Sequence, residues 1–171
     1  MNDSTLQNLN KLSADDAVEQ FRRCCGTTWW CEQMAACRPF ADIDQVHDTA
    51  DAIFEQMAEG HWLEAFAAHP KIGDADSLRM KYVGNKDWSA GEQSGMDAAD
   101  DETIDALAQG NADYEKRFGY ILIVCASGKS AGEMLQLLRS RLRNDPPKEA
   151  AIACGEQRKI THLRLDKLAV D

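Results

Sequence analysis

FGYILIVCA, residues 118–126, is the stretch whose reading decides the fold, because it is the one segment of the chain able to form a strand. Periodicity cannot separate a buried strand from a buried helix in so short a run. A lone strand, however, has no partner for its backbone donors and acceptors. Helix is therefore the expected state, and with it the fold class is all-α.

The rest of the chain agrees as the reading moves outward. Toward the C-terminus, Ser130 to Arg143 and Pro147 to Ala169 have helical spacing, with Pro147 in a first turn where its missing N–H costs nothing. Toward the N-terminus, helices are expected from Asp97 to Arg117 and again near Ser89. The stretch from Lys71 to Asp87 carries Gly73, Gly84 and several polar residues, so it reads as loop with at most one helical turn. Trp62 to Ala68 is a helix stopped by Pro70 and separated by Gly60 from a longer one, Ile43 to Ala58. In that longer helix Ile43, Val46, Ala50, Ile53, Phe54 and Met57 share a face. Trp29 to Cys37 stops before Arg38-Pro39, since a residue preceding proline is pushed out of the helical region. Ser13 caps a first helix that carries Ala17, Val18 and Phe21 on one side and ends at Cys25-Gly26. No repeat or linker interrupts this series. The expectation is a single domain over residues 1–171, a compact bundle of about eight to ten helices.

The formal net charge of -10 removes the basic footprint needed for nucleic acid or an anionic membrane. An anionic small molecule remains open, provided a local cation holds it. The longest apolar run, Tyr120 to Ala126, falls far short of the ~20 residues of a membrane span. The opening MNDSTLQNLNKLS lacks the apolar core of a signal peptide, and the closing KLAVD is no peroxisomal address, so a cytoplasmic location is expected. Six cysteines show no paired C-x-x-C spacing, which supports neither a zinc site nor a redox motif. Reduced thiols, several packed in the core, are expected.

Three segments can carry chemistry. In His69-Pro70-Lys71-Ile72-Gly73-Asp74 the imidazole should sit just past a helix end, near the negative end of its dipole. Spacing alone favours a plain helix stop there over a functional histidine. In Trp88-Ser89-Ala90-Gly91-Glu92-Gln93 the Ser-x-x-Glu pattern is a capping box. The chain supplies its own control, because Ser130-Ala131-Gly132-Glu133 repeats those four letters at another helix start. In the third segment, residues 159–165, Ile160 and Leu163 mark a buried face with Arg164 beside it. A guanidinium so placed can grip a carboxylate with two donors, although a packed stem paired with a surface acid is the commoner arrangement. His47, His61 and His162 lack metal-ligand spacing and read as surface or packing residues.

Taken in order, the blocks resemble one family, the OHCU (2-oxo-4-hydroxy-4-carboxy-5-ureidoimidazoline) decarboxylases. The blocks are HPKIGD, then S-x-x-EQ, then Asn111-x-x-Tyr114-x-x-x-Phe118-Gly119-Tyr120 with a Cys125-Ala126 tail. Arg139 to Asn144 and E-Q-x-K-I-x-x-L-R-L follow. The opening, LNKLS through FRRCCGTTWW to RPF, is similar to that family's first helices. Each block is weak alone, but their order over nearly the whole chain is specific. The resemblance implies an all-helical homodimer that uses no cofactor and decarboxylates OHCU to (S)-allantoin in urate breakdown. It implies His69 and Glu92 as the catalytic pair, with Arg164 near the substrate. Pro70, Ser89 and Gln93 match pocket positions, and Leu122, Val124 and Ala126 fall where the family lines the site with apolar side chains and main-chain groups. Which of His69 and Glu92 is acid and which is base stays open. Two other readings share these residues: hydrolysis of a related ureido compound, and a non-catalytic helical binding protein.

Overall fold

A computed structural model describes residues 1–71, 75–82, 101–125 and 128–170. Among them are nine helices and no strand: α1 (Asp3–Lys11), α2 (Ala14–Arg22), α3 (Thr28–Ala36), α4 (Ile43–Phe54), α5 (Glu59–Ala67), α6 (Ala75–Tyr82), α7 (Asp101–Phe118), α8 (Ala131–Arg141) and α9 (Pro146–Asp166). The fold class is all-α, as the spacing of apolar residues requires. The chain divides into two compact units. One comprises Met1–His69, Ile123–Cys125 and Ile152–Asp171, the other Pro70–Leu122 and Ala126–Ala151.

Helix starts follow local hydrogen bonding. Asn2, Ser13, Asp42 and Ser130 each accept a backbone N–H three residues on, opening α1, α2, α4 and α8. At α8 the box is reciprocal: Glu133 also accepts the Ser130 N–H at 2.7 Å. Each such cap is worth about 0.5–2 kcal/mol, because it satisfies a donor that the helix itself leaves orphaned.

The first unit is built on an aromatic core. Trp30 is fully buried, edge-on to Phe21 and stacked on Phe54, with Leu9, Cys31, Met34, Val46 and Leu165 packed around them. Arg38 spans the open end of α1, donating to the carbonyls of Leu9 (2.6 Å), Leu12 (3.0 Å) and Ser13 (3.2 Å). One contact there bears on the site. A Cβ on Gly26 would lie 2.1 Å from the Ala68 Cβ, so only glycine lets the chain after α2 reach the end of α5, one residue before His69.

The second unit packs α7 between α6 and α8. Its centre is a buried polar knot. The Glu149 carboxylate, wholly inaccessible, accepts Arg141 Nε at 2.5 Å, Asn144 Nδ2 at 2.7 Å and the Tyr114 hydroxyl. Tyr114, Phe118 and Tyr120 cluster ring against ring, with centroids 4.7 and 6.0 Å from that of Tyr114. The Asn111-to-Tyr120 and Arg139-to-Asn144 blocks thus supply Tyr114, Arg141 and Asn144 to this knot.

Several expectations are corrected. The decisive stretch is not helical: α7 stops at Phe118, and residues 119–125 are neither helix nor strand. Gly119 takes φ +81°, a left-handed conformation that ends a helix and suits a residue without Cβ. The segment 71–87 is more ordered than expected, since α6 fills two turns of it. The polar opening of the chain forms α1. The helix from Ile43 ends at Phe54 rather than Ala58, and Gly60 lies inside the first turn of α5 instead of separating two helices. The helix expected near Ser89 lies outside the described residues.

Candidate active site

His69 stands where the sequence places it, just past the C-cap Ala68 of α5, its N–H returned to the Phe66 carbonyl at 3.2 Å. The imidazole is half-buried, and its Nε2 lies 2.7 Å from the Gln157 side-chain oxygen. Burial pushes its pKa below the ordinary 6.5, against the Gln157 hydrogen bond, which raises it. The Arg164 charge lowers it further. Desolvation therefore outweighs the Gln157 hydrogen bond and disfavours the protonated ring.

From Ile152 onward, α9 belongs to the same unit as His69. Its buried stripe is Ala153, Gln157, Thr161 and Leu165, spaced four residues apart. The expected stripe through Ile160 and Leu163 is wrong: Ile160 is only partly buried and Leu163 is 39% exposed. Hydropathy chose the wrong face because two members of the true one are polar and hydrogen-bonded. Arg164 falls seven residues after Gln157, two turns along the same side. It donates to the Cys24 carbonyl at 3.2 Å and, among the described residues, makes no ion pair. Its neighbours are committed elsewhere, Arg158 to Glu55 and Lys159 to Glu156, both at 2.6 Å. Among the described residues, Arg164 therefore lacks the surface pairing that commonly absorbs an arginine.

Residues 123–125 join the same unit. Ile123 is buried, Val124 half-buried, and the Cys125 N–H is accepted by Glu156 on α9 at 2.8 Å. Pro70 (exposed) and Leu122 (half-buried) belong to the second unit. Ser89, Glu92, Gln93 and Ala126 lie outside the described residues. Glu156 and Gln157 open the E-Q-x-K-I-x-x-L-R-L block of the sequence, which gives neither of them a role. The available signal was a glutamine and a threonine at buried helical spacing in α9.

The other histidines take packing roles. His61 stacks on Trp29, with centroids 4.6 Å apart and planes 5° off parallel. His47 and His162 meet through their Nδ1 atoms at 2.5 Å, flanked by Asp166 and Asp51. Among the described residues no group of three or more metal-ligating side chains converges. Cys24, Cys25 and Cys31 are buried free thiols, and burial pushes Cys24 up to about 12 and Cys25 up to about 11.

The fold and the site define a class: an all-α protein in which one compact unit brings a half-buried imidazole of lowered pKa and a guanidinium without an ion pair among the described residues. Comparison with known proteins narrows this. The sequence model of OHCU decarboxylase matches residues 10–166, and the chain belongs to the OHCU decarboxylase family. It is 38% identical over 164 residues to the uric acid degradation bifunctional protein TTL of Arabidopsis thaliana, covering 94% of this chain and 49% of that protein. The chain therefore spans about half the length of that relative. A 2-oxo-4-hydroxy-4-carboxy-5-ureidoimidazoline decarboxylase of Amia calva is 28% identical, over 95% of this chain and 93% of the other. A crystal structure of OHCU decarboxylase in the presence of (S)-allantoin superposes with a TM-score of 0.70 at 36% identity, covering 88% of this chain and 96% of that one.

Proposed function

We propose that this chain decarboxylates OHCU to (S)-allantoin in urate degradation, using His69 and Arg164 on the first unit together with Glu92. The observation that carries the reading is the half-buried imidazole of lowered pKa held to α9 by Gln157, with the Arg164 charge acting on it and no ion pair to Arg164 among the described residues, in a chain of this family. The substrate is an anion and the protein carries a formal net charge of -10, so a local cation must hold the carboxylate; Arg164 is placed to do so.

The chemistry needs little else. The carboxylate-bearing ring carbon adjoins a C=N bond. When its bond to the carboxylate breaks and CO₂ leaves, the electron pair moves into the ring and the imine nitrogen takes up a proton. The substrate thus brings its own electron sink, the service a cofactor would otherwise provide. The neighbouring hydroxyl then loses its proton as a carbonyl forms, and a proton is delivered to one face of the carbon that bears the ureido group. His69 takes the hydroxyl proton, and Glu92 serves the complementary transfer. Ser89, Gln93 and Pro70 position the ring and the ureido group, while Leu122, Val124 and Ala126 exclude water. The family match over residues 10–166 spans both compact units, which supports their working as one domain. We take the active form to be a cytoplasmic homodimer, as the family resemblance implies.

Two assays test this. Incubated with fresh OHCU, the protein releases one CO₂ per substrate and leaves the ureido group intact. Ureido cleavage without CO₂ release would replace decarboxylation by hydrolysis of a related compound. In the second assay, kcat/KM rises with pH through an acid limb whose midpoint lies below 6.5, since His69 works deprotonated and burial lowers its pKa. The stability that neutral His69 contributes has the same sign. It is full above 6.5 and is lost as pH falls through the lowered value, where the folded protein must also take up the proton. A limb above 6.5 contradicts the assignment.

A further inference from the structure

An imidazole that works as a base has one nitrogen to offer, and the structure says which. His69 Nε2 faces the Gln157 side chain at 2.7 Å. Gln157 is inaccessible to solvent, so the orientation of its amide is set by its protein partners alone. Its Nε2 donates to Thr161 Oγ1 at 3.3 Å, and the Thr161 hydroxyl donates to the main-chain carbonyl of Gln157 at 3.0 Å. Were the amide turned over, its oxygen would face the Thr161 oxygen, and the hydroxyl would have to leave the main-chain carbonyl to pair with it. The amide oxygen therefore points at His69, and an amide oxygen only accepts. Nε2 must carry the proton, and the lone pair is left on Nδ1, which has no hydrogen-bond partner among the described residues.

We propose that Gln157 is a positioning residue that holds His69 in its Nε2–H tautomer, so that Nδ1 is the nitrogen that takes the substrate proton. The proposal rests on the reading of His69 as the base. Locking a tautomer matters because a ring free to exchange protons between its nitrogens presents a donor where a base is needed for part of the time. The lock is carried by a neutral side chain. An acidic residue in its place would also fix Nε2–H, but it would stabilise the protonated ring and disable the base. Among the described residues, the charge that acts on His69 is Arg164 on α9, which opposes protonation. Cys25, whose thiol lies against Thr161, stays neutral because burial holds it at about 11.

The test uses the full-length protein labelled with ¹⁵N-histidine, the His69 signals being identified by their loss in His69→Ala. Above the acid limb, Nε2 should show the shift of a protonated ring nitrogen and Nδ1 that of a lone-pair nitrogen. Gln157→Glu retains an acceptor, so the tautomer persists while the acid limb of kcat/KM moves to higher pH. Gln157→Met removes the acceptor, so the limb moves to lower pH, both tautomers appear, and kcat falls about 10–10²-fold with KM changed less. Opposite displacements of the limb are not expected from a role in packing alone. A wild-type spectrum with the proton on Nδ1 overturns the proposal, as does an unmoved limb in both variants. If the spectrum shows Nε2–H but His69→Ala keeps the full rate, the reading of His69 as the base has failed and the assignment of its tautomer stands.

Discussion

His69→Ala lowers kcat for OHCU decarboxylation by about 10²–10⁴-fold, the range lost when a placed side chain no longer moves a proton in the transition state. The fold survives, because His69 is only half-buried and lies past the end of α5, outside the aromatic core. What the substitution leaves behind is a buried Gln157 oxygen without its donor, a local cost of about 1–3 kcal/mol against a total of roughly 5–15 kcal/mol. Far-ultraviolet circular dichroism and the thermal midpoint separate the two effects. A folded variant with a collapsed kcat and a modest change in KM is the expected result. A folded variant that turns over at nearly the wild-type rate removes His69 from the mechanism.

Glu149→Ala strikes stability instead. Its carboxylate is shared by Arg141, Asn144 and Tyr114, and both Glu149 and Arg141 are essentially sealed from water. Removing it takes the carboxylate partner from a buried guanidinium. Breaking a buried pair from one side costs about 3–5 kcal/mol, because the remaining charge keeps its desolvation penalty and loses its partner. For a chain of this length that corresponds to a fall of roughly 6–20 °C in the thermal midpoint. The exposed Lys71–Glu115 pair is the internal contrast. Lys71 is 65% exposed, so Lys71→Ala should cost at most about 1 kcal/mol. Thermal denaturation of the two variants side by side decides the matter, and equal, small shifts would show that the knot does not anchor its unit.

The contrast explains how far the sequence could be read. Features fixed by neighbours along the chain were legible. Ser13 and Ser130 cap helices through hydrogen bonds three residues away, and the apolar spacing of α4 matches the side it buries. His69 was found because the following Pro70 forces a helix to end there. Features fixed by distant partners were not legible. Gln157 is buried because it serves a residue 88 positions away, and hydropathy assigns such a glutamine to the surface. The same blindness turned α9 in the wrong direction and favoured Leu163, which faces solvent. The stretch 119–125 reads as helix because its apolar side chains suggest burial. Its backbone is instead anchored by the side chain of Glu156, and Gly119 has already ended the helix. α6 escaped notice because its sequence is polar and buries only Leu78. Family resemblance supplied what pattern could not, namely the proposed reaction and the proposed pairing of His69 with Glu92.

The central claim is tested most directly by a circular-dichroism time course at the allantoin band, started with freshly generated OHCU. The account predicts that the wild-type protein brings up the (S)-allantoin signal far faster than spontaneous decay, and that His69→Ala does not. Folded wild-type protein that leaves the spontaneous course unchanged, or yields racemic allantoin at the uncatalysed rate, would contradict it.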